Sequence, residues 1–512
     1  MAPRLVLDVS AFKKPTCWTG VELTLMHVSI APSMVSMRHV ALPLAALLLT
    51  TLGAAAWPFT VDDAFIVARY ATRIAQGLGY SYEPGVRSDG VTGPLWLLPL
   101  VLAARLGLAP VTVAKWLSLV AGTIAVTLVI ARTNRAAGGR HSSWIVVLVA
   151  CSSISLVAWS VAGLETGVAT LCATLLALES TARPAGRGFV AGMCLAALAW
   201  LRPELLPFGA ALGVALAWRD RRSGALLVSL GLLGLVSVAT FRFSLFDHWL
   251  PMSASAKPPL LGPGLDYVGS ALLRPRSLVL VILLGLASVR GGTSCRVLVF
   301  ALVVHASAVV LVGGDWMPSR RLFAPVVPTL ALALGLGLRN TWLRRPKLLL
   351  VLCSALAVTS ALELIPELRA LRAAGELQKR QIPALSALIC RARGPVALID
   401  LGALSYACPE QIFVDLGGLT EPNIAYARGA HLDKLVDEAW LRARAPGMVV
   451  LHSRDRPRVD AQHNLRWFAG YPVERRVLGF VWMRDYQVQH IFAYAPAYYY
   501  VLLVPRAPPL SH

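Results

Sequence analysis

Charged residues are scarce in this sequence. Asp, Glu, Lys and Arg make up 15% of its 512 residues and 56% are hydrophobic, whereas about a quarter of a soluble domain is charged. The charges that remain stand between long apolar blocks, which have the length that crosses a bilayer as a helix. The scarcity therefore excludes an ordinary soluble enzyme and predicts a polytopic α-helical membrane protein.

Acidic residues are few, and the common metal and nucleotide motifs are missing from the sequence. Lys and Arg outnumber Asp and Glu by 48 to 27, but basic and aromatic residues are not interleaved, so nucleic acid is not an expected partner. No Cys-x-x-Cys pair and no glycine-rich phosphate loop occurs. The arginines lie mostly in short loops, where the positive-inside rule accounts for them and makes the lipid bilayer the partner.

Eleven apolar blocks predict transmembrane helices. They cover residues 38–57, 111–131, 143–162, 164–181, 187–202, 203–218, 223–243, 275–290, 296–312, 322–338 and 347–364. A further block at 94–108 decides the orientation of everything after it. If it does not cross, basic loops share the cytoplasmic side around residues 132–140, 183–187, 219–222, 290–296 and 339–347. We therefore predict that 94–108 lies along the membrane or re-enters it.

The same orientation places five polar clusters on the outer side of the membrane. They are Asp62 with Asp63, Glu165, Arg202 with Glu204, residues 247–257 and residues 315–321. Charged residues at the ends of spans are costly to keep there and are often functional. Five clusters on one face therefore predict one site.

The first outer loop contains an amphipathic pattern over residues 60–79. This pattern predicts a helix in the membrane interface, with Arg69 on its polar face and two glycines at its end. Asp62 and Asp63 stand at its start. They either cap the helix or form a like-charged pair in which one carboxyl has a raised pKa and acts as a base.

The later outer clusters each have a structural and a functional interpretation. Glu165 is either a solvated residue in a helix hairpin or part of a site. Glu204 either forms a local ion pair with Arg202 or belongs to the same site. Arg320 and Arg321 either bind a phosphate or extend along the membrane surface.

The polar region 365–512 predicts a separate soluble α/β domain. Short apolar runs at 396–400, 412–415 and 448–451 predict strands. The stretch 432–444, between the last two runs, predicts a helix. The resulting domains are an N-terminal cytoplasmic extension at 1–37, interpreted as disordered, a transmembrane domain at 38–364 with its first outer loop at 58–110, and the outer domain.

Cysteines and tyrosines in the outer domain leave two further alternatives open. Cys390 and Cys408 either pair, as an oxidising compartment permits, or remain two buried thiols. Tyr498 and the two tyrosines after it either stack on a sugar or form an interfacial aromatic belt, and we favour the belt.

An ordered series of short motifs resembles the GT-C glycosyltransferases, most of all the mycobacterial terminal β-(1→2)-arabinofuranosyltransferase group and its bacterial relatives. The series comprises Asp-Asp-Ala-Phe-Ile at 62–66, Gly-Leu-Glu-Thr at 163–166, Leu-Arg-Pro-Glu at 201–204, Leu-Pro at 250–251 through Lys257, Gly-Asp-Trp-Met-Pro at 314–318 with Arg321, and Asp415 with Gly418-Leu419-Thr420. Met252-Ser253 and Glu421 depart from the expected pattern and leave the sugar open.

The resemblance implies an inverting membrane glycosyltransferase. It would transfer a pentose such as arabinofuranose, or a hexose, from a polyprenyl-phosphate donor to a cell-envelope glycan, on the periplasmic side of a bacterial cytoplasmic (inner) membrane. By position Asp62 is the base, with Asp63 and Glu165 as further catalytic candidates. The expected phosphate ligands are Arg320, Arg321, Lys257 and Arg69, and the expected substrate contacts are Tyr70, Arg202, Glu204, His248, Asp315 and Trp316.

Metal dependence and a rival function remain open at this stage. A divalent cation can bridge acids and a phosphate, but no ligand set in the sequence requires one, and no other cofactor is expected. The alternative function is a multi-span transporter or flippase for a lipid-linked or envelope substrate. Such a protein should have repeated halves and charge near the bilayer midplane, whereas this sequence has charge at one face.

Topology reporters fused after residues 137, 220 and 440 test the orientation. We expect the first two to report cytoplasm and the third to report the outside, because the basic loops set the orientation. An external signal at 137, or a cytoplasmic signal at 440, would contradict it.

Overall fold

The computed structural model describes residues 37–135, 140–182 and 188–506. The predicted extension at 1–37 lies outside the described residues except for its last position. Arg183 and Arg187, which contribute to one of the basic loops, lie outside them as well.

The N-terminal two thirds of the chain are almost entirely helical. The first outer loop adds one small antiparallel pair, β1 (Ser81–Glu83) and β2 (Val86–Arg87). The helices are α1 (Met37–Ala56), α2 (Asp62–Ala75), α3 (Leu97–Arg105), α4 (Pro110–Arg135), α5 (Arg140–Cys151), α6 (Ile154–Val161), α7 (Thr166–Thr181), α8 (Gly188–Leu201), α9 (Leu206–Arg219), α10 (Arg221–Phe246), α11 (Met252–Ala256), α12 (Leu261–Leu272), α13 (Pro275–Arg290), α14 (Thr293–Leu311), α15 (Val327–Gly337), α16 (Arg339–Arg344) and α17 (Pro346–Ile389).

Several of these helices are long and apolar enough to cross a membrane. In the part of the chain that the structure describes there are five, or seven if each of two bent pairs counts as one span. The five are α4, α10, α14, α15 with the turn before it, and α17, and the bent pairs are α5–α6 and α12–α13. The membrane-protein class is thereby supported, and the number of eleven spans stays a prediction.

Two predicted segments differ from simple spans. The block at 94–108 forms a short turn and α3, and the apolar stretch Pro94–Arg105 has fewer than 18 residues, which is too short for a bilayer core of about 30 Å. The block at 143–162 is not one helix, because α5 and α6 meet at 58°. Ser152 donates a hydrogen bond to the Leu148 carbonyl at this break, a contact that bends helices.

Small residues allow the helices to pack closely. An added Cβ at Gly234 of α10 would lie 2.5 Å from the Ala196 Cα atom of α8. Close backbone approach at glycine is typical of helix packing in membranes, where apolar burial gives little driving force.

Helix α17 continues without interruption from the membrane domain into the C-terminal domain, which keeps the name outer domain from the predicted topology. It has 44 residues, so the predicted domain boundary at 365 falls inside a helix. The sequence becomes more polar at this point because the surroundings of the helix change, and the helix itself continues. Gly375 fixes its position, because a Cβ there would lie 2.2 Å from the Pro58 carbonyl carbon, just before α2.

The outer domain is built on a five-stranded sheet in the order β4-β3-β5-β9-β8, in which β4, β3 and β5 are parallel. The remaining strands of this sheet are antiparallel to their neighbours. Its elements are β3 (Val396–Leu398), α18 (Gly402–Ala407), β4 (Phe413–Asp415), α19 (Pro422–Ala425), α20 (Glu438–Ala443), β5 (Met448–Ser453), β6 (Arg458–Val459), β7 (Leu465–Trp467), α21 (Pro472–Leu478), β8 (Tyr486–Ala495) and β9 (Tyr498–Pro505).

The three predicted strands are present, but the predicted helix at 432–444 is wrong in its first half. Leu432 has φ +59°, which a helix does not tolerate. The helix begins only at Glu438, where the Asp437 side chain accepts a hydrogen bond from the Trp440 backbone. Periodicity alone does not show where such a cap falls.

The outer domain and the first outer loop share one hydrophobic core. Val67 and Tyr70 of α2 pack in the same cluster as Leu398 of β3, Val450 of β5 and Leu502 of β9. Within the outer domain, Cys390 and Cys408 form a disulfide that ties the end of α17 to the end of α18. The outer domain is thus fixed to the membrane domain at α2.

Candidate active site

A cavity of about 610 Å³ lies where the helices of the membrane domain meet the outer domain. All five polar clusters predicted from the sequence contribute to its wall. The charged residues that line it are Asp63, Glu165, Arg202, Glu204, Arg242, Lys257, Asp315 and Arg321. The cavity therefore brings together side chains that are far apart in sequence, from Asp63 to Arg321.

Arg202 forms ion pairs with two of the cavity carboxylates. Its guanidinium lies 2.6 Å from a Glu165 oxygen and 3.1 Å from a Glu204 oxygen, and it donates to the Thr166 hydroxyl. Arg202 and Glu165 are both buried. The ion pair foreseen as the structural interpretation of Glu204 is present, and it also lines the cavity.

Arg321 pairs with a third carboxylate across a tight loop. The Arg321 Nε atom lies 2.7 Å from Asp315 Oδ2. Ser319 and Arg320 between them have positive φ values of 54° and 55°, which costs about 1–3 kcal/mol per residue and is seen mainly where function requires the geometry. The strained loop turns Arg321 back towards Asp315.

A buried ion pair that the sequence analysis missed supports the cavity from the side of α10. Arg242 lies in the cavity wall, donates to Asp89 at 2.8 Å and donates to the Thr92 carbonyl at 2.6 Å. The available signal was a single arginine inside the apolar block at 223–243, since a charge in a predicted span is costly and often functional.

Asp63 and Lys257 differ from the other charged residues in the wall. Across residues 37–135, 140–182 and 188–506, the Asp63 carboxylate forms no hydrogen bond or ion pair and the Lys257 ammonium forms no ion pair. The other cavity charges are held by described partners of opposite sign. The free carboxylate and the free ammonium are therefore the groups that can act on a ligand.

Asp62 binds the outer domain instead of lining the cavity. Its two carboxylate oxygens accept hydrogen bonds from the backbone N–H groups of Gly402 and Ala403, each at 2.8 Å. Gly402 is required by the close approach, because a Cβ there would lie 2.2 Å from the Asp62 carbonyl oxygen. This contact fixes the start of α2 against α18.

The pKa of Asp62 is raised from 3.8 to about 7. Burial is the largest cause, and the negative charges of Asp400 and Asp63 add to it, whereas the two backbone donors oppose it. The raised pKa that the sequence analysis expected of one acid of the pair is thus found on the carboxyl that docks the outer domain.

Arg69 does not face a donor phosphate. It is buried, pairs with Glu83 at 3.0 Å, and donates to the backbone carbonyls of Ser405, Cys408 and Gln411. The outer domain covers this part of the polar helix face that the sequence pattern predicted. The polar face of α2 is therefore a domain interface.

Four other candidates also lie away from the cavity wall. The Tyr70 hydroxyl is buried against Ser88 and Gly90, and the His248 ring stacks on Tyr426. Trp316 is exposed, and the Arg320 guanidinium lies over the Tyr267 ring. In the part of the chain that the structure describes, the cavity wall includes none of these four side chains.

The outer domain supplies part of the cavity wall through the loop after β4. Asp415 accepts hydrogen bonds from the backbone of Gly417 and Thr420 at 2.8 Å, and this loop places Leu419 in the wall. Lys434 adds a tie to α11, because its ammonium donates to the Ser255 carbonyl at 2.7 Å.

The cavity residues do not fit a metal site. Among the residues that the structure describes, no group of three His, Cys, Asp or Glu side chains is arranged to hold a metal ion. Glu165, Glu204 and Asp315 are also already ion-paired with arginines.

Comparison with known proteins reaches only the outer domain. A family model described as a domain of unknown function (DUF8728) matches residues 373–503, from within α17 to the last strand. No curated protein matches the chain. Activity must therefore be argued from the cavity.

Asp62→Asn is expected to weaken the docking of the outer domain by about 1–2 kcal/mol, because one of the two backbone donors loses its acceptor. The raised pKa means that the stabilisation by Asp62 is fully present below 3.8 and is lost as the pH rises through about 7. The penalty of the variant should therefore be larger at pH 5 than at pH 8 in thermal unfolding of the protein in nanodiscs.

Asp63→Asn is the matched control for this experiment, because its side chain makes no docking contact in the described residues. It should leave unfolding nearly unchanged at pH 5 and should raise stability slightly at pH 8, because it removes a negative charge that raises the pKa of Asp62. A penalty for Asp62→Asn that grows with pH would contradict the assignment of the raised pKa.

Proposed function

We propose that this protein is a membrane glycosyltransferase that moves a sugar from a polyprenyl-phosphate donor to a cell-envelope glycan on the outer side of the cytoplasmic membrane. The observation that carries the proposal is the pair of free charges, Asp63 and Lys257, in one cavity whose other charged side chains are ion-paired. A displacement at a sugar needs one base and one cation in this way.

Asp63 is the base in this proposal. It takes the proton from an acceptor hydroxyl, whose oxygen then bonds to the anomeric carbon of the donor sugar. The bond from that carbon to the phosphate oxygen breaks, and its electron pair leaves with the polyprenyl phosphate. Attack on the face opposite the phosphate inverts the anomeric carbon, through a transition state with oxocarbenium character.

Lys257 is the proposed partner of the leaving phosphate. No described carboxylate pairs with its ammonium, so the ammonium is available to the phosphate oxygens. Arg321 lies in the same wall and keeps its position through Asp315. A fixed cation beside the leaving group stabilises the developing charge without reorganisation during the reaction.

The apolar side of the cavity supports a donor with a lipid chain. Leu235, Leu311 and Val312, together with Trp249 and Leu250, line the cavity and are also exposed on the protein surface. A wall that is both apolar and open on the side of α10 and α14 lets a sugar phosphate enter while its hydrocarbon stays in the bilayer. A soluble sugar nucleotide would gain nothing from such an opening.

Asp62 has a supporting role in this mechanism, which differs from the expectation drawn from its position in the motif. Both of its oxygens are used by Gly402 and Ala403, so it is not free to approach an acceptor hydroxyl. By holding the start of α2 it fixes the next residue, Asp63, in the cavity wall. Asp62 is thus a positioning residue.

Asp63→Asn is expected to lower sugar transfer by roughly a hundredfold or more, because it removes the base while keeping the side-chain shape. Transfer is measured with purified protein in nanodiscs, a radiolabelled polyprenyl-phosphate pentose or hexose and an envelope glycan acceptor. Asp62→Asn provides the comparison and should lose activity only in proportion to its loss of stability. Normal turnover by a folded Asp63→Asn protein would remove Asp63 from the mechanism.

Lys257→Ala is expected to raise the KM for the lipid donor about tenfold or more, because a charge-assisted contact to the phosphate contributes about 1.5–3 kcal/mol. Lys257→Arg should recover much of this loss, since it keeps the charge. Lys379→Ala removes a lysine from an exposed position on α17 and serves as the control for charge. An unchanged donor KM in Lys257→Ala would place the phosphate elsewhere.

A further inference from the structure

A second cavity lies in the outer domain, at the carboxyl end of β5. It has a volume of about 330 Å³, and its wall includes His452, Arg454, Tyr471, Arg475 and Tyr498. The described residues in its wall do not overlap with those of the catalytic cavity. Ligands of α/β sheets commonly bind at the carboxyl ends of parallel strands, and the volume is at the lower end of the roughly 300–1,000 Å³ typical of ligand sites.

The floor of this cavity is held rigidly by a buried hydrogen-bond network. The two ring nitrogens of His452 lie 2.9 Å from an Asp400 oxygen and 2.7 Å from a Glu474 oxygen. Burial opposes the charged ring, but the negative charges of Asp400 and Glu474 raise the pKa of His452 well above its ordinary value, which favours a ring that donates from both nitrogens. The Tyr498 hydroxyl donates to the same Asp400 oxygen at 2.6 Å. These polar atoms of the floor are therefore already hydrogen-bonded to one another, and the Tyr498 ring is fixed in place.

Two arginines at the rim of the cavity have no carboxylate partner among the described residues. Neither Arg454 nor Arg475 forms an ion pair among the described residues, and both side chains are exposed. The Arg454 guanidinium lies over the Tyr471 ring, 5.6 Å from its centroid. The adjacent Arg476 shows the contrast, because it is paired with Asp433 at 2.7 Å.

These features together match one ligand chemistry. Tyrosine rings stack on the apolar face of a sugar ring and keep a polar edge for its hydroxyls, and free guanidinium groups bind a carboxylate or phosphate in a planar, bidentate manner. We propose that this cavity is a binding site for an acidic saccharide, a sugar residue that bears a carboxylate or a phosphate. The inference does not depend on the proposed transfer reaction.

The position of the site links it to the catalytic cavity. Asp400, which holds His452 and Tyr498, stands two residues before Gly402, and Gly402 binds Asp62 beside Asp63. A glycan held in the second cavity would thus contact His452 and Tyr498, whose polar atoms are hydrogen-bonded to the segment that docks onto the start of α2. If the chain is a glycosyltransferase, the site would hold a charged part of its acceptor.

The test is a binding titration of the full chain in nanodiscs of neutral lipid. The probes are tetragalacturonate and glucose 1-phosphate, which separate the carboxylate from the phosphate source, with neutral galactotetraose and inorganic phosphate as comparisons. We expect at least one acidic sugar to bind more tightly than both comparisons. Arg454→Ala and Arg475→Ala should each weaken that binding about tenfold.

Two further variants complete the design. Arg484→Ala removes an exposed arginine of the same domain that is not in the cavity wall, and it should bind as the wild type does. Tyr471→Ala should weaken the binding of the acidic sugar but not the binding of inorganic phosphate. The proposal is overturned if neither acidic sugar binds, if galactotetraose or inorganic phosphate binds as tightly, or if Arg484→Ala weakens binding as much as Arg475→Ala.

Discussion

The docking of the outer domain onto α2 is the constraint on which the rest of the site depends. Asp62 binds two backbone N–H groups at the start of α18, and Arg69, about two turns further along α2, binds three backbone carbonyls of the same domain. Anchors of opposite charge at two points along one helix fix both its position and its rotation. Asp63 lies between them and is therefore directed into the cavity.

Neutralisation of charge explains how a cavity beside a membrane can hold so many ionised groups. Burying an ion without a partner costs several kcal/mol, and in this cavity Arg202, Arg321 and Arg242 each meet carboxylates at ion-pair distance. The pairs leave little net charge and little freedom to move. A single carboxylate and a single ammonium that stay free among the described wall residues can then act in a setting whose field is fixed in advance.

The outer domain contributes more than a cover. The carboxyl edge of its parallel strands, where such sheets usually bind ligands, is divided between two uses. The loop after β3 binds the carboxylate of Asp62, and the end of β5 with its tyrosines and arginines remains open. The buried His452 contacts Asp400 on one side and Glu474 on the other, so the two parts of the edge are joined by one network.

The sequence by itself determined the membrane class, the α/β character of the C-terminal region and the set of polar clusters, because apolar length, strand runs and charged positions are local properties. It also pointed to the acid pair at the start of α2. Only the tertiary structure decided which acid faces the cavity, because α18 covers one carboxylate and leaves the other free. The tertiary packing also places Arg69 outside the cavity and Arg242 in its wall. Whether a helix face contacts solvent, lipid or another domain depends on what packs against it, and the sequence of the helix alone does not show this.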